Sequence, residues 1–429
     1  MRLLLVAFLA LAAPASAQLT APERAMVQLV DREAGRTVGL LERMVNQNSG
    51  TLNLAGVTAM AAILRAELEP LGFEVRWIDM AETGRAGHLI ATHEGRGRNV
   101  LLIGHLDTVF EPDSPFQAFV REGDRAIGPG VGDDKGGVAV IVAAMRAMHG
   151  AGTLRDANVT IVLTGDEERP GAPLAIARRD LIAAGRLADY ALEFENLAME
   201  GAVDFGTVAR RGSTSWTLTA HGRTGHSSGV CAAELGCGAI YEAARILDSF
   251  RRELAEPNLT FNVGVIAGGT PASIDADGFR VAASGKTNIV AETAIARGDL
   301  RALTPEQESR ARERMQAIVA RHLPNTEAEL VFSADGYPPM APTPGNRALL
   351  ARLNAVNRDL GLAEMAEYDP ARRGAADSSF VAGDADTLAG LGAAGGRAHA
   401  EGEWIALGSL TRQAKRAAIL ISRLTRERR

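Results

Sequence analysis

Three short apolar runs in this chain each end in residues that bind protons or cations. Asn99–Gly104 leads into His105-Leu106-Asp107, Asn158–Thr164 into Gly165-Asp166-Glu167-Glu168, and Tyr190–Leu192 into Glu193-Phe194-Glu195. Runs of this length bounded by polar residues read as buried strands. In open α/β sheets, sites gather outside the carboxyl ends of the strands. His105, Asp107, Glu167, Glu168 and Glu195 are therefore expected along one sheet edge. A histidine with several carboxylates cannot form an apolar core, and unneutralised acids repel one another. One divalent metal ion, or two, is the simplest counter-charge.

Two further segments offer ligands of the same kind. Gly130-Val131-Gly132-Asp133-Asp134-Lys135-Gly136-Gly137 brings two acids to a helix start. Alone, such acids would serve as helix-dipole charges worth about 0.3–1 kcal/mol; beside His105 and the glutamate pair, they read as metal ligands. His399 lies in the glycine-rich stretch Gly395–Trp404, where by itself it would read as a surface histidine. Within a strand, i and i+2 project to the same side, so Asp107 can orient the His105 imidazole. The adjacent Glu167 and Glu168 diverge: one can ligate while the other faces a water and acts as general base. Either Glu193 or Glu195 could supply a ligand.

The elements that must carry these residues are legible in the surrounding pattern. A chain of 429 residues with 46% hydrophobic and 23% charged residues is an ordinary globular chain of about two domains. Only 4% of residues are aromatic, so aliphatic side chains must fill the core. A net charge of −6 and no Lys/Arg stripe argue against a nucleic-acid partner, and no stretch after the leader reads as spanning a membrane. Residues 22–70 read as helical, 73–78 and 89–92 as strands, and Gly136–Met148 as a buried helix. Strands alternate with helices to about residue 209, an α/β layer pattern. From residue 213 the strict alternation of Trp216, Leu218 and Ala220 predicts a strand with one buried face. A helix over 233–254, strands over 259–266 and 289–303, a helix from Pro305 to about His322 and a strand over 327–333 complete the order β-α-β-β-α-β, a ferredoxin-like α+β unit inserted into the α/β domain. The expected division is a signal peptide over 1–17, a catalytic domain over 18–209 and 340–429, and an inserted lid over 210–339.

At the start of the chain, Arg2, the apolar run Leu3–Ala13 and Ala15-Ser16-Ala17 form a signal-peptide pattern. The expectation is export, to the periplasm or the medium, after cleavage near Ala17. Cys231 and Cys237 are six residues apart, which would put them on different faces of one helix, so free, partly buried thiols are expected.

The ordered set His105-x-Asp107, Asp133-Asp134-Lys135-Gly136, Asp166-Glu167-Glu168, Glu195 and His399 resembles the glutamate carboxypeptidase, aminoacylase and acetylornithine deacetylase family of dinuclear zinc hydrolases. Periplasmic glutamate carboxypeptidases look nearest, through Ala188-Asp189-Tyr190 ahead of Phe194-Glu195. The resemblance covers almost the whole chain after the leader and implies two zinc ions per subunit, with cobalt or manganese as alternatives. It implies His105 and Glu195 as ligands of one ion, Glu168 and His399 of the other, Asp133 as the bridge, and a cis peptide between Asp133 and Asp134. It implies Glu167 as general base and Asp107 as the partner of His105. Within the lid, Gly225-His226-Ser227-Ser228-Gly229 resembles a motif whose histidine completes a neighbouring subunit's site, and so implies a homodimer. Asn288 and Arg301 align with residues that hold a substrate carbonyl and carboxylate. Gly374–Phe380 departs from a more glycine-rich pocket segment. The implied reaction is amide hydrolysis of a small peptide or N-acyl amino acid beside a terminal carboxylate. A dipeptidase or aminopeptidase, which would need an acid for a free ammonium, and a binding protein that has lost hydrolysis are the alternatives.

Overall fold

The computed structural model describes residues 19–275 and 278–427; the signal-peptide reading of residues 1–17 lies outside them. Three helices open the described chain, Ala21–Arg32 (α1), Ala34–Asn46 (α2) and Leu54–Leu68 (α3), where the sequence pattern reads as one helical stretch. Thr20 and Glu23 start α1 with a reciprocal capping box.

The catalytic sheet is mixed and six-stranded. Its strands are Glu74–Asp79 (β1), Gly87–His93 (β2), Asn99–His105 (β3), Asn158–Thr164 (β4), Tyr190–Glu193 (β5) and, from the far end of the chain, Asp386–Leu388, in the order β1-β2-β4-β3-β5-386–388. The first two pairings are antiparallel and the last three parallel. The parallel register sets His105 opposite Thr164, and Ile103 opposite Glu193. Three strands therefore finish side by side, and the polar residues that follow them start from one edge.

Helix Lys135–Gly150 (α4) is buried along nearly its whole length. That explains its Ala/Val composition, since a helix surrounded by protein needs no polar face. It enters tightly: a Cβ on Gly137 would lie 1.7 Å from the Phe194 carbonyl oxygen, so only glycine lets the helix start meet the end of β5.

The inserted unit consists of strand Thr214–Gly222 (β6), helix Ala239–Glu253 (α5), strands Thr260–Gly269 (β7) and Thr293–Arg301 (β8), helix Pro305–Val319 (α6) and strand Thr326–Phe332 (β9). Its antiparallel sheet runs β7-β8-β6-β9, the ferredoxin-like order, with a small extra hairpin, Ala272–Ile274 against Val281–Ala283. Trp216 and Leu218 pack with Ile246, Phe250, Met315 and Leu330 to form its separate core. Two bridges, Arg210 with Met340 and Ser213 with Tyr337, mark where the chain leaves and returns.

The structure corrects two expectations here. Helix α5 begins at Ala239 rather than 233, because Gly236 and Gly238 take φ +75° and +83°, outside helical geometry. The cysteines are not free: residues 231–237 form a loop in which Cys231 and Cys237 are disulfide-bonded with Cα atoms 4.1 Å apart. The helical-face argument fails because these residues are not in a helix, and Cys231 itself turns back at φ +63°.

A buried ionic network ties the sheet edge to the rest of the catalytic domain. Fully buried Arg178 donates through Nε to Asp377 at 2.7 Å and through Nη1 to Asp166 at 2.6 Å. Its Nη2 reaches the Tyr337 hydroxyl at 3.0 Å, and the Thr164 hydroxyl donates to Asp377 at 2.6 Å. Removing one member leaves buried charge uncompensated. Arg178→Met is expected to lower unfolding stability by about 3–5 kcal/mol, whereas Arg155→Met, at an 84% exposed side chain, should change it by less than about 0.5 kcal/mol. Urea unfolding of both variants at matched metal content checks this.

Candidate dinuclear metal centre

His105 is the last residue of β3 and is buried. Its Nε2 lies 3.0 Å from Asp133 Oδ1. Its Nδ1 faces Asp107, 3.1 Å from the backbone carbonyl and 3.4 Å from the carboxylate. The other oxygen of Asp133, Oδ2, is 3.1 Å from His399 Nε2, which also meets Glu168 Oε2 at 3.0 Å. Asp133 thus presents one oxygen to each histidine. Potential ligand atoms form two groups that share it, His105–Asp133–Glu195 and Asp133–Glu168–His399, with the atoms of each group within 4.8 Å of one another. The peptide between Asp133 and Asp134 is cis. The site opens to solvent on one side, where the His399 side chain is 55% exposed. His399 adopts φ +63°, a region that costs a non-glycine residue roughly 1–3 kcal/mol and recurs at functional sites.

Asp107 is a positioning residue rather than a group at the reacting atoms. Fully buried, it accepts from the Glu167 backbone N–H at 3.0 Å, the Glu168 N–H at 3.2 Å and the Thr51 hydroxyl at 2.6 Å. One carboxylate therefore orients the His105 ring and also fixes the backbone of the glutamate pair. Burial pushes its carboxyl up, but the bonds with His105 and Thr51 outweigh this and hold it below the usual range.

Of Glu193 and Glu195, only Glu195 lies with His105 and Asp133, although Arg210 touches both. Glu193 is buried against Arg210 and accepts from the Ser378 N–H at 3.3 Å. Glu195 also touches Arg210, at 2.7 Å, but belongs to the group with His105 and Asp133. Burial pushes Glu195 up to about 7, with Arg210 opposing.

The centre shows the electrostatics of a site built for cations. Burial first, then the charge of Glu195, pushes Glu167 well above the carboxylate range, and burial also raises Glu168 and Asp134. Hydrogen bonds to Asp133 and Glu168 raise His399 to about 11. Glu168 Oε1 and Asp134 Oδ1 are buried and without a hydrogen-bond partner. Two imidazoles and three carboxylates in two linked groups fit a pair of divalent ions, which would replace the extra protons as counter-charge.

Three further residues support the centre, two of them without a local sequence signal. Arg210 has been described. Thr51 is a loop hydroxyl remote in sequence from everything it touches. The third, Glu403, is buried, and its carboxylate accepts from the N–H groups of Gly130, Gly132 and Asp133 at 2.8–2.9 Å, holding the loop that aims Asp133. Glu403 lies in the same segment as His399, so a second acid close behind a ligand histidine was the only available hint.

The lid residues singled out by the sequence belong to neither group of candidate ligands. His226 is exposed, and its ring partner is Ser228 at 2.9 Å. Asn288 is exposed beside it, joined through its carbonyl to the Ser227 N–H. Arg301, at the end of β8, donates through Nε to Asp299 at 2.7 Å. Each of these hydrogen bonds joins two residues of the lid.

Residues 101–423 match the family described as peptidase family M20/M25/M40, and the chain belongs to that family. Among curated relatives, carboxypeptidase G2 from Pseudomonas sp. (strain RS-16) is 32% identical over 257 residues, covering 59% of this chain and 60% of that protein. Succinyl-diaminopimelate desuccinylase from Variovorax paradoxus (strain S110) is 26% identical over 363 residues, 81% of this chain and 87% of the relative. Aminopeptidase PepT from Bacillus cereus shares the fold with TM-score 0.70 at 20% identity, covering 91% of this chain and 98% of that one. The metallo-carboxypeptidase Sso-CP2 from Sulfolobus solfataricus does so with TM-score 0.63 at 17% identity, covering 90% and 98%.

If Glu403 holds the Asp133 loop, Glu403→Gln should weaken metal binding by about 10–100-fold, as loss of an outer support does, while the protein stays folded. Titration of apo-protein with zinc against a competing chelator, alongside circular dichroism, measures both quantities.

Proposed function

We propose that this chain is an exported hydrolase that uses two divalent metal ions, zinc first among them, to cleave an amide bond beside a terminal carboxylate. The observation that carries the reading is Asp133, which offers one oxygen toward His105 and the other toward His399, with Glu195 and Glu168 completing the two groups. His105, Asp133 and Glu195 would hold one ion, and Asp133, Glu168 and His399 the other. Bound there, the ions would supply Lewis-acid polarisation of the scissile carbonyl and acidify a water. Glu167 is the residue left to move protons. Its backbone is held by Asp107 from one side and by the Tyr337 hydroxyl, 3.1 Å from its carbonyl oxygen, from the other. It takes the proton of the attacking water and passes it to the leaving amine. His226 of the partner subunit would donate to the oxyanion, and Asn288 would hold the substrate carbonyl. Its exposed position on the lid supports a homodimer in which lids pair.

Arg301 would read the substrate's terminal carboxylate, its guanidinium oriented by Asp299 at Nε. Relatives named carboxypeptidase and desuccinylase support an amide substrate that carries a free carboxylate. The leader pattern over 1–17 and the Cys231–Cys237 disulfide together support an oxidising compartment, periplasmic or extracellular.

Glu167→Gln should keep both metals and the fold while turnover falls by about 10²–10⁴-fold. Glu168→Gln should instead lose metal. Metal analysis paired with single-turnover assays separates the two, and near-normal turnover in metal-replete Glu167→Gln would remove the general-base assignment. On the substrate side, C-terminally amidated peptides should be cleaved with kcat/KM lower by about 10-fold or more, because the bidentate contact of Arg301 with the carboxylate would be lost. Arg301→Ala should erase most of that difference. Equal cleavage of acid and amide by the wild type would favour an aminopeptidase.

A further inference from the structure

The loop closed by Cys231 and Cys237 lies beside the motif that carries His226, and the two are in contact. Residues 231–234 are exposed, Leu235 and Cys237 are half-buried, and Gly236 is buried. The Leu235 side chain rests on the two glycines that flank His226. A Cβ on Gly225 would lie 2.9 Å from Leu235 Cδ1, and one on Gly229 would lie 3.4 Å from Cδ2. Backbone bonds continue the link: Ala232 N–H donates to the Gly229 carbonyl at 3.0 Å, and Gly229 N–H to the His226 carbonyl at 3.0 Å. On the other side, Gly225 accepts from Val290 N–H and Ser227 donates to Asn288, both at 2.9 Å, so His226 and Asn288 share one backbone pairing. Arg223 and Asn325 hold the outer rim of the loop, donating to the carbonyls of Glu234 and Ala233. A short, largely exposed loop with one half-buried leucine gains little from burial, while ordering it costs backbone entropy at every residue. A covalent closure removes much of that cost by restricting the open alternatives.

We infer that the Cys231–Cys237 disulfide, acting through Leu235, is a positioning element for the reaction: it holds the Gly225–Gly229 turn, and with it His226, in place. This rests on the reading that His226 acts at the reacting carbonyl. A donor that acts on the oxyanion and is displaced by even an ångström costs turnover more than substrate binding.

The test uses the mature, metal-loaded protein in six forms: wild type, Cys231→Ser/Cys237→Ser, Leu235→Ala with the disulfide intact by thiol counting, and the same three in a His226→Ala background. The expected result is a fall in kcat of about 10-fold or more in the double-serine and Leu235→Ala proteins, with KM nearly unchanged and two metals retained. In the His226→Ala background neither change should lower kcat further. Wild-type kcat in the double-serine protein would overturn the inference. So would an equal fall in both backgrounds, which would mean that the loop acts independently of His226. Amide hydrogen exchange at Ser227–Gly229 is the arm that does not depend on turnover. If no amide substrate is cleaved by the wild type, the functional reading fails by itself. Faster exchange in the double-serine protein then still supports the positioning role, and unchanged exchange overturns it.

Discussion

The rest of this structure depends on a concentration of buried negative charge. Asp107, Asp133, Asp134, Glu167, Glu168, Glu193 and Glu195 converge at the ends of three parallel strands, and no hydrophobic packing can offset their mutual repulsion. The chain meets it with countercharge arranged in layers. Arg210 spans Glu193 and Glu195, Arg178 spans Asp166 and Asp377 below the glutamate loop, and the histidines hold the middle. Two divalent ions would complete this arrangement. A centre loaded in this way would be as much a condition of the fold as a product of it, since the same ions that serve chemistry would also offset the buried charge.

Much of the centre was legible because strand ends and metal ligands share a signature. An apolar run that stops at His105, Glu167 or Glu195 states both where a strand ends and what the end can do. Parallel register then does the assembling, since His105 and Thr164 are direct neighbours. The alternation of Trp216, Leu218 and Ala220 announced the lid strand for an equally local reason: one face is buried and the other is not.

What stayed hidden was long-range. Glu403 acts on backbone N–H groups about 270 positions away, and such a partnership leaves no periodicity. Arg210 reads as a basic residue at a domain boundary until the fold brings Glu193 beneath it. The disulfide escapes the sequence because a spacing of six puts Cys231 and Cys237 on different faces if both lie in one helix, whereas Gly236 and Gly238 at positive φ keep this segment out of a helix. Only at the cysteines does a local reading meet a tertiary arrangement that overrules it.

The lid leaves the catalytic domain at Arg210 and returns at Met340, and those two residues already pair as neighbours in an antiparallel bridge. The insertion therefore occupies the place of a tight turn. It carries its own core and makes no demand on the register of the catalytic sheet. A module attached in this way can be exchanged, enlarged or deleted over evolutionary time without rebuilding the centre beneath it. Divergence in what such enzymes cut would then be expected to accumulate in the inserted unit, while the strand ends that hold the ions stay constant.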